Sequence, residues 1–195
     1  MDRSYTSSAE SGATIHILPV GGIIKNDVKN PALIANEDGL RLNSGDASSL
    51  LNFQNPLERL SEIIVDEDFS DLLDGIDEYS HIVVLYWGGH EVPEEGRSLK
   101  RVHPAGLGHY PMKGIYATYS PARPPNPILM TIVRLRERLQ NRLIVSGLDA
   151  IDKSPVIDIK PYVGDLFPQD DVSVPDWMQR IMGNSKKREI RRGLQ

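Results

Sequence analysis

Apolar residues in this chain recur mostly at every second position, in short runs broken by glycine and proline. That period is the mark of half-buried strands, because successive side chains of a strand point to opposite faces. Residues 14–24, TIHILPVGGII, predict a first strand with Gly21 and Gly22 forming a bulge inside it. LERLSEIIVD predicts a second strand ending at Asp66, and a short acidic helix is expected from about Phe69 to Leu73. HIVVLYW, from His81 to Trp87, has the β-branched and aromatic content of a buried central strand and stops at Gly88 and Gly89.

After the polar loop EVPEEGR, a short strand is expected around LKRVH before GLGHYP turns the chain. ILMTIVRLRERL has a composition that a helix would tolerate, yet Val133 and Leu135 alternate with Arg134, Arg136 and Arg138, so a strand is predicted. Gln140 and Asn141 form a turn into RLIVSGLDAI, and PVIDIKPYV follows as a strand with Asp158 and Lys160 on one side. Many short strands and few helices predict a mainly β fold, an antiparallel sheet curled into a barrel. A C-terminal helix is predicted over DWMQRIMGN, whose stripe of Trp177, Met178, Ile181 and Met182 suits packing on the barrel. The expected organisation is an unstructured polar tail over 1–12, a barrel domain over 13–166, and an extension over 167–195 with that helix and a basic tail.

A chain of 195 residues can bury a core without covalent staples. It contains no cysteine, which excludes disulfides, a thiol nucleophile and zinc sites of the cysteine type. No segment approaches the roughly 20 apolar residues of a membrane span, and the start MDRSYTSSAESGA lacks the apolar core of a secretory signal, so a cytoplasmic protein with no membrane partner is expected. The net charge of −5 argues against a protein that coats nucleic acid all over. Lys186, Lys187, Arg188, Arg191 and Arg192 nevertheless form a basic end that suits phosphates or simply closes a soluble chain, whereas Asp66 to Glu78 is acidic.

No glycine-rich phosphate loop, HExxH pair or nucleophile-elbow serine is present, and the five histidines are too scattered for a metal cage. His81 reads as a hydrogen-bonded strand residue. His90 differs, because it follows a buried strand and two glycines and is succeeded by Glu91. Asp149 and Asp152 follow the apolar run LIVSGL, where a carboxylate could accept hydrogen bonds from ribose hydroxyls or an ammonium group, or cap a turn. Between Gly114 and Leu135, Pro121, Pro124, Pro125 and Pro127 stiffen a turn that carries Arg123 and Asn126. These two residues offer a planar fork of donors and a donor–acceptor amide to a polar ligand.

The segments DGIDEYSHIVVLYWGGHEVPEEGR, HPAG, GIYATYSPARPPNPI and GLDAIDKSPVIDIKPYV, in this order, closely resemble the TsaA-like family, which includes TrmO-type tRNA methyltransferases. The resemblance runs from about Ile17 to Asp165. It implies a β-barrel that binds S-adenosylmethionine without a Rossmann sheet, acts as a homodimer, and methylates threonylcarbamoyladenosine beside the tRNA anticodon. Carried over by position, it implies cofactor contacts at His90, Glu91, Tyr119, Met130, Asp149, Ala150, Ile151 and Asp152, substrate contacts at Arg123 and Asn126, and His90 as the base. The chain also departs from the family pattern. Tyr119 stands where the family has a cofactor-contacting arginine, Pro125 is additional, Leu129 replaces a glycine, and a second glycine precedes His90. Two alternatives follow: a methyltransferase for a small metabolite or a protein side chain, and a non-enzymatic S-adenosylmethionine-binding sensor module.

Overall fold

The structure, a computed structural model, describes residues 5–8, 14–17, 22–28, 33–36, 39–42, 59–88, 99–119 and 126–183. Its strands in chain order are β1 (Tyr5–Ser8), β2 (Thr14–Ile17), β3 (Gly22–Lys25), β4 (Leu33–Asn36), β5 (Gly39–Leu42), β6 (Leu60–Ile64), β7 (His81–Trp87), β8 (Arg101–Val102), β9 (Lys113–Gly114), β10 (Ile128–Leu139), β11 (Arg142–Ser146) and β12 (Pro155–Pro161). Six of them close a barrel in the order β10-β11-β6-β3-β12-β7, with all pairs antiparallel. Closure leaves the barrel no unpaired edge. Pairs β1–β2, β4–β5 and β8–β9 form separate two-stranded sheets.

The alternation read from the sequence decides what fills the barrel. Ile82, Val84 and Tyr86 of β7, Val133 of β10, Leu143 and Val145 of β11, Ile63 of β6, Ile24 of β3 and Val156 of β12 form one buried cluster. Burying each such side chain contributes about 1.5–3 kcal/mol. β10 is the longest strand, at 12 residues, and serves two neighbours: Ile128 to Arg134 pair with β7, and Arg134 to Leu139 pair with β11. Its period of two puts Val133 and Leu135 against the core while Met130, Ile132, Arg134 and Arg136 face outward. A helix could not have divided these residues so cleanly. Gln140, at φ 54°, and Asn141 make the two-residue turn, and Asn141 fastens it to β6 by exchanging backbone and side-chain bonds with Val65.

A second, smaller core of Leu40, Val102 and Ile115, with Leu33 and Leu99 packed on it, joins β4–β5 to β8–β9. His81 lies on β7, bonded through Nδ1 to the Ser80 hydroxyl at 2.9 Å and edge-on to Tyr162. Asp158 and Lys160 do share a side and form an ion pair.

Four local expectations change. Residues 14–24 are not one strand: Thr14–Ile17 pair with β1, and only Gly22–Lys25 enter the barrel, with Gly22 opening that strand. Tyr5–Ser8, expected within an unstructured tail, form β1, because the alternating partner β2 supplies a complete antiparallel ladder. The acidic helix is a 3-10 helix that begins earlier, at Glu67, and runs to Leu73, the only residue it buries. Residues 176–183 are helical as expected, but the apolar stripe is incomplete, since Trp177, Met178 and Ile181 are half-buried and Met182 is exposed.

Candidate functional site

The C-terminal end of β7, the N-terminal end of β10 and the loop of residues 147–152 meet at one end of the barrel. Ile128 pairs with Trp87, and beyond that pair the Gly88 N–H donates to the Pro127 carbonyl at 2.9 Å, so the two strands stay together as they leave the sheet. Tyr86 points inward from β7 with its ring in the core. Its hydroxyl donates to the backbone carbonyl of Asp149 and lies 3.5 Å from the Thr131 hydroxyl. A buried tyrosine requires a partner for its polar tip. Here that partner is the candidate loop itself.

The loop leaves β11 through Gly147, whose φ of 91° suits glycine and lets the chain reverse while its N–H reaches the Arg59 carbonyl. Leu148 and Ala150 are buried and Asp149 between them is exposed. Apolar anchors on both sides therefore hold Asp149 in place. Asn26, just after β3, fastens the far side of the loop. Its Nδ2 donates to the Ala150 carbonyl at 2.9 Å and to the Ser61 hydroxyl at 3.3 Å, its Oδ1 accepts the Val28 N–H, and its own N–H donates to Asp152 Oδ1 at 3.0 Å. Further backbone bonds run from Asp152 N–H to the Val28 carbonyl and from Lys153 N–H to the Ile24 carbonyl. The turn is thus held by groups on or beside β3, β6 and β7, which fixes its shape in advance of any ligand.

Asp149 still reaches solvent as a residue, but the protein mass around its carboxyl desolvates the charged form. Desolvation raises its pKa above 3.8, and the positive charge of Arg59 opposes the rise. Arg59 is itself paired with Asp27 at 3.2 Å.

The residues expected from the sequence divide into three groups. Asp149, Ala150, Ile151 and Asp152 lie together in the anchored loop, where Asp152 holds the Asn26 N–H. Met130, 50% exposed, sits on the outer face of β10 opposite Leu85, not on the Tyr86 side of the strand, while Asn126 and Tyr119 are exposed, the latter 82%. His90, Glu91 and Arg123 lie outside the described residues. Two participants were not anticipated, Tyr86 and Asn26. Their signals were a polar-tipped aromatic inside an otherwise apolar strand and an Asn-Asp dipeptide ending one. No group of three or more metal-ligating side chains occurs among the described residues, and none of their helices is long and apolar enough to cross a membrane.

Comparison with known proteins matches this architecture. Residues 54–166 fit the family model of the tRNA-methyltransferase O N-terminal domain. The chain is 42% identical over 105 residues to the S-adenosyl-L-methionine-binding protein of Archaeoglobus fulgidus, a match covering 54% of this chain and 70% of that relative. It is 43% identical over 106 residues to a protein of Methanothermobacter thermautotrophicus named as a probable S-adenosyl-L-methionine-binding protein, covering 54% and 72%. Among solved structures it resembles TrmO from Pseudomonas aeruginosa at a TM-score of 0.55 and 23% identity, over 83% of this chain and 62% of that one. The likeness shows a shared fold, and the chain spans less than two thirds of the length of that solved protein.

Proposed function

The chain belongs to the family of the tRNA-methyltransferase O N-terminal domain, and from that premise we propose that it is an S-adenosylmethionine-dependent methyltransferase acting on threonylcarbamoyladenosine beside the tRNA anticodon. The observation that supports this most is the bond from the Tyr86 hydroxyl to the Asp149 carbonyl, which ties the loop at residues 147–152 to the end of β7. It holds the stretch Asp149–Asp152, part of what the family resemblance assigns to the cofactor, against the end of β7.

The side chains present suit that cofactor chemically. Asp149 offers a carboxyl as acceptor for ribose hydroxyls or an ammonium group, the buried Ala150 and half-buried Ile151 offer apolar wall, and Tyr119 offers an exposed ring for adenine. When bound, S-adenosylmethionine supplies an electrophilic methyl group on a sulfonium. The protein's part is to hold the acceptor nitrogen in line and to receive its proton, and proximity accounts for much of the rate. In this reading His90, three residues after β7 in sequence, receives the proton, while Arg123 and Asn126 orient the nucleoside.

Incubation of the purified protein with S-adenosylmethionine and tRNA, followed by nucleoside mass spectrometry, tests the proposal. A new methyl on threonylcarbamoyladenosine is expected, and cofactor binding without any methylated nucleoside would reject it. A second reading, a binding module without turnover on tRNA, is favoured by Tyr119. It stands exposed where the family pattern has an arginine, and a tyrosine cannot clamp a carboxylate bidentately. The same experiment separates the two.

A further inference from the structure

From Gly96 to Arg136 the chain has 41 residues without an aspartate or glutamate, although it carries seven Lys or Arg in that stretch and has a net charge of −5 overall. The part of this stretch described first is the β8–β9 hairpin and the 3-10 turn Ile115–Ala117. Its cations differ from most of those of the barrel, although Arg134 and Arg136 on β10 also have no ion pair among the described residues and Arg136 donates to the Ser146 hydroxyl. Lys25, Arg59, Arg138, Arg142 and Lys160 each face a carboxylate within 4 Å. Lys100, Arg101 and Lys113 have no ion pair among the described residues, and Arg101 instead braces the hairpin by donating to the Met112 carbonyl at 3.1 Å.

Beside Lys100 lies an open cavity of about 320 Å³, walled by Leu99, Gly114, Ile115, Tyr116 and Ala117. Tyr116 is 69% exposed. It is carried by a turn that is fixed from below, since Ile115 is buried in the small second core and the Thr118 hydroxyl donates to the Ile115 carbonyl at 2.8 Å. A rigid exposed ring next to cations without carboxylate partners is the combination that binds single-stranded nucleic acid. Bases stack on the ring and the backbone follows the positive charge.

We propose that this hairpin and turn form an RNA-docking surface, on which an unpaired base stacks against Tyr116 and the adjoining phosphates lie along Lys100 and Lys113, which share one face of the hairpin. The assignment rests on the tRNA reading given above and places the RNA on the folded hairpin instead of the basic C-terminal cluster.

Bulk tRNA, titrated against the full chain by filter binding across a KCl series, provides the test, with calorimetric titration of S-adenosylmethionine on the same samples. In Lys100→Ala/Lys113→Ala the slope of log K against log salt falls by about 1.4, two single-strand phosphate contacts' worth. Tyr116→Ala weakens binding roughly five- to a hundredfold, whereas Tyr116→Phe, which keeps the ring, does not. Gly114→Leu is a third variant: a Cβ there meets nothing within 4 Å and its φ of −57° suits any residue, so the fold is kept while the cavity is filled. It too weakens tRNA binding. Wild-type slope and affinity in all three would overturn the surface, as would tRNA binding lost only on truncation after Gly183, or binding of phosphatidylserine vesicles in place of tRNA. Cofactor binding separates the two proposals. Its absence from the wild-type chain, with tRNA binding that still depends on Lys100 and Tyr116, rejects the methyltransferase and keeps the surface.

Discussion

Leu129 occupies the space that a side chain on Gly88 would need: a Cβ at Gly88 would lie 2.6 Å from Leu129 Cδ1 and 3.1 Å from Cγ. Leu129 stands where the family pattern has a glycine, and Gly88 belongs to the doubled glycine that precedes His90. Two departures that look independent along the chain are therefore complementary in space. Gly88→Ala overpacks the strand ends and should cost about 1–3 kcal/mol in thermal or denaturant unfolding. Gly88→Ala/Leu129→Gly should recover part of that loss, with a coupling of about 0.5–3 kcal/mol between contacting sites. Additive effects in the double-mutant cycle would mean that the two residues do not compensate each other.

Asn26 joins the loop to β3 through its Nδ2 and its backbone N–H, while its Oδ1 accepts the Val28 N–H. Asn26→Ala should therefore destabilise by about 1–3 kcal/mol, and cofactor affinity should fall with it. Asp152→Asn preserves the Oδ1 acceptor, so its stability is expected within about 0.5 kcal/mol of the parent, as for a substitution that breaks no buried network. If calorimetry finds cofactor binding also unchanged in Asp152→Asn, Asp152 is a turn-holding residue and not a cofactor contact.

Tyr86→Phe keeps the ring in the core but withdraws the donor from the Asp149 carbonyl. The expected cost is about 1–2 kcal/mol. Kinetically, KM for the cofactor should rise more than kcat falls, because the loop loses its alignment while the reacting groups remain. A change in kcat alone would contradict this.

Asp149 has a folded-state pKa above its unfolded value, so the folded chain binds its proton more readily. Its contribution to stability falls as pH rises from about the ordinary aspartate range through the raised folded value, and the full cost of ionising a desolvated carboxyl is present above that window. Asp149→Asn should be the more stable protein at neutral pH, with the difference shrinking in acid. Melting temperatures of both proteins across a pH series measure it. Cofactor affinity should move oppositely, since the amide cannot supply the charge.

The barrel strands were legible because their period is short and their boundaries are marked by glycine, proline and asparagine, as in β7, β10 and the Gln140–Asn141 turn. β1 was not, because Tyr5–Ser8 is a polar tetrapeptide whose partner strand supplies the order. The loop at residues 147–152 could be located from the apolar run before it. What holds it could not: Tyr86 and Asn26 lie 63 and 124 residues away in sequence from the carbonyls they bind. Met130 shows the complementary limit, since position along β10 was readable while the face it occupies followed only once the register with Leu85 was known.

The barrel closes between β3 and β12 through only two residue pairs, Ile23 with Pro155 and Gly22 with Val156, and the stitches that extend it run from Ile24 to Lys153 and Ser154. This is its narrowest seam, and it borders the anchored loop. Local opening should therefore begin there, with the amides of Ile24 and Lys153 exchanging with solvent faster than those of Val84 and Val133 in the broad β7–β10 ladder. A ligand seated on the loop would then slow exchange across the seam, so the breathing of the barrel itself would report occupancy.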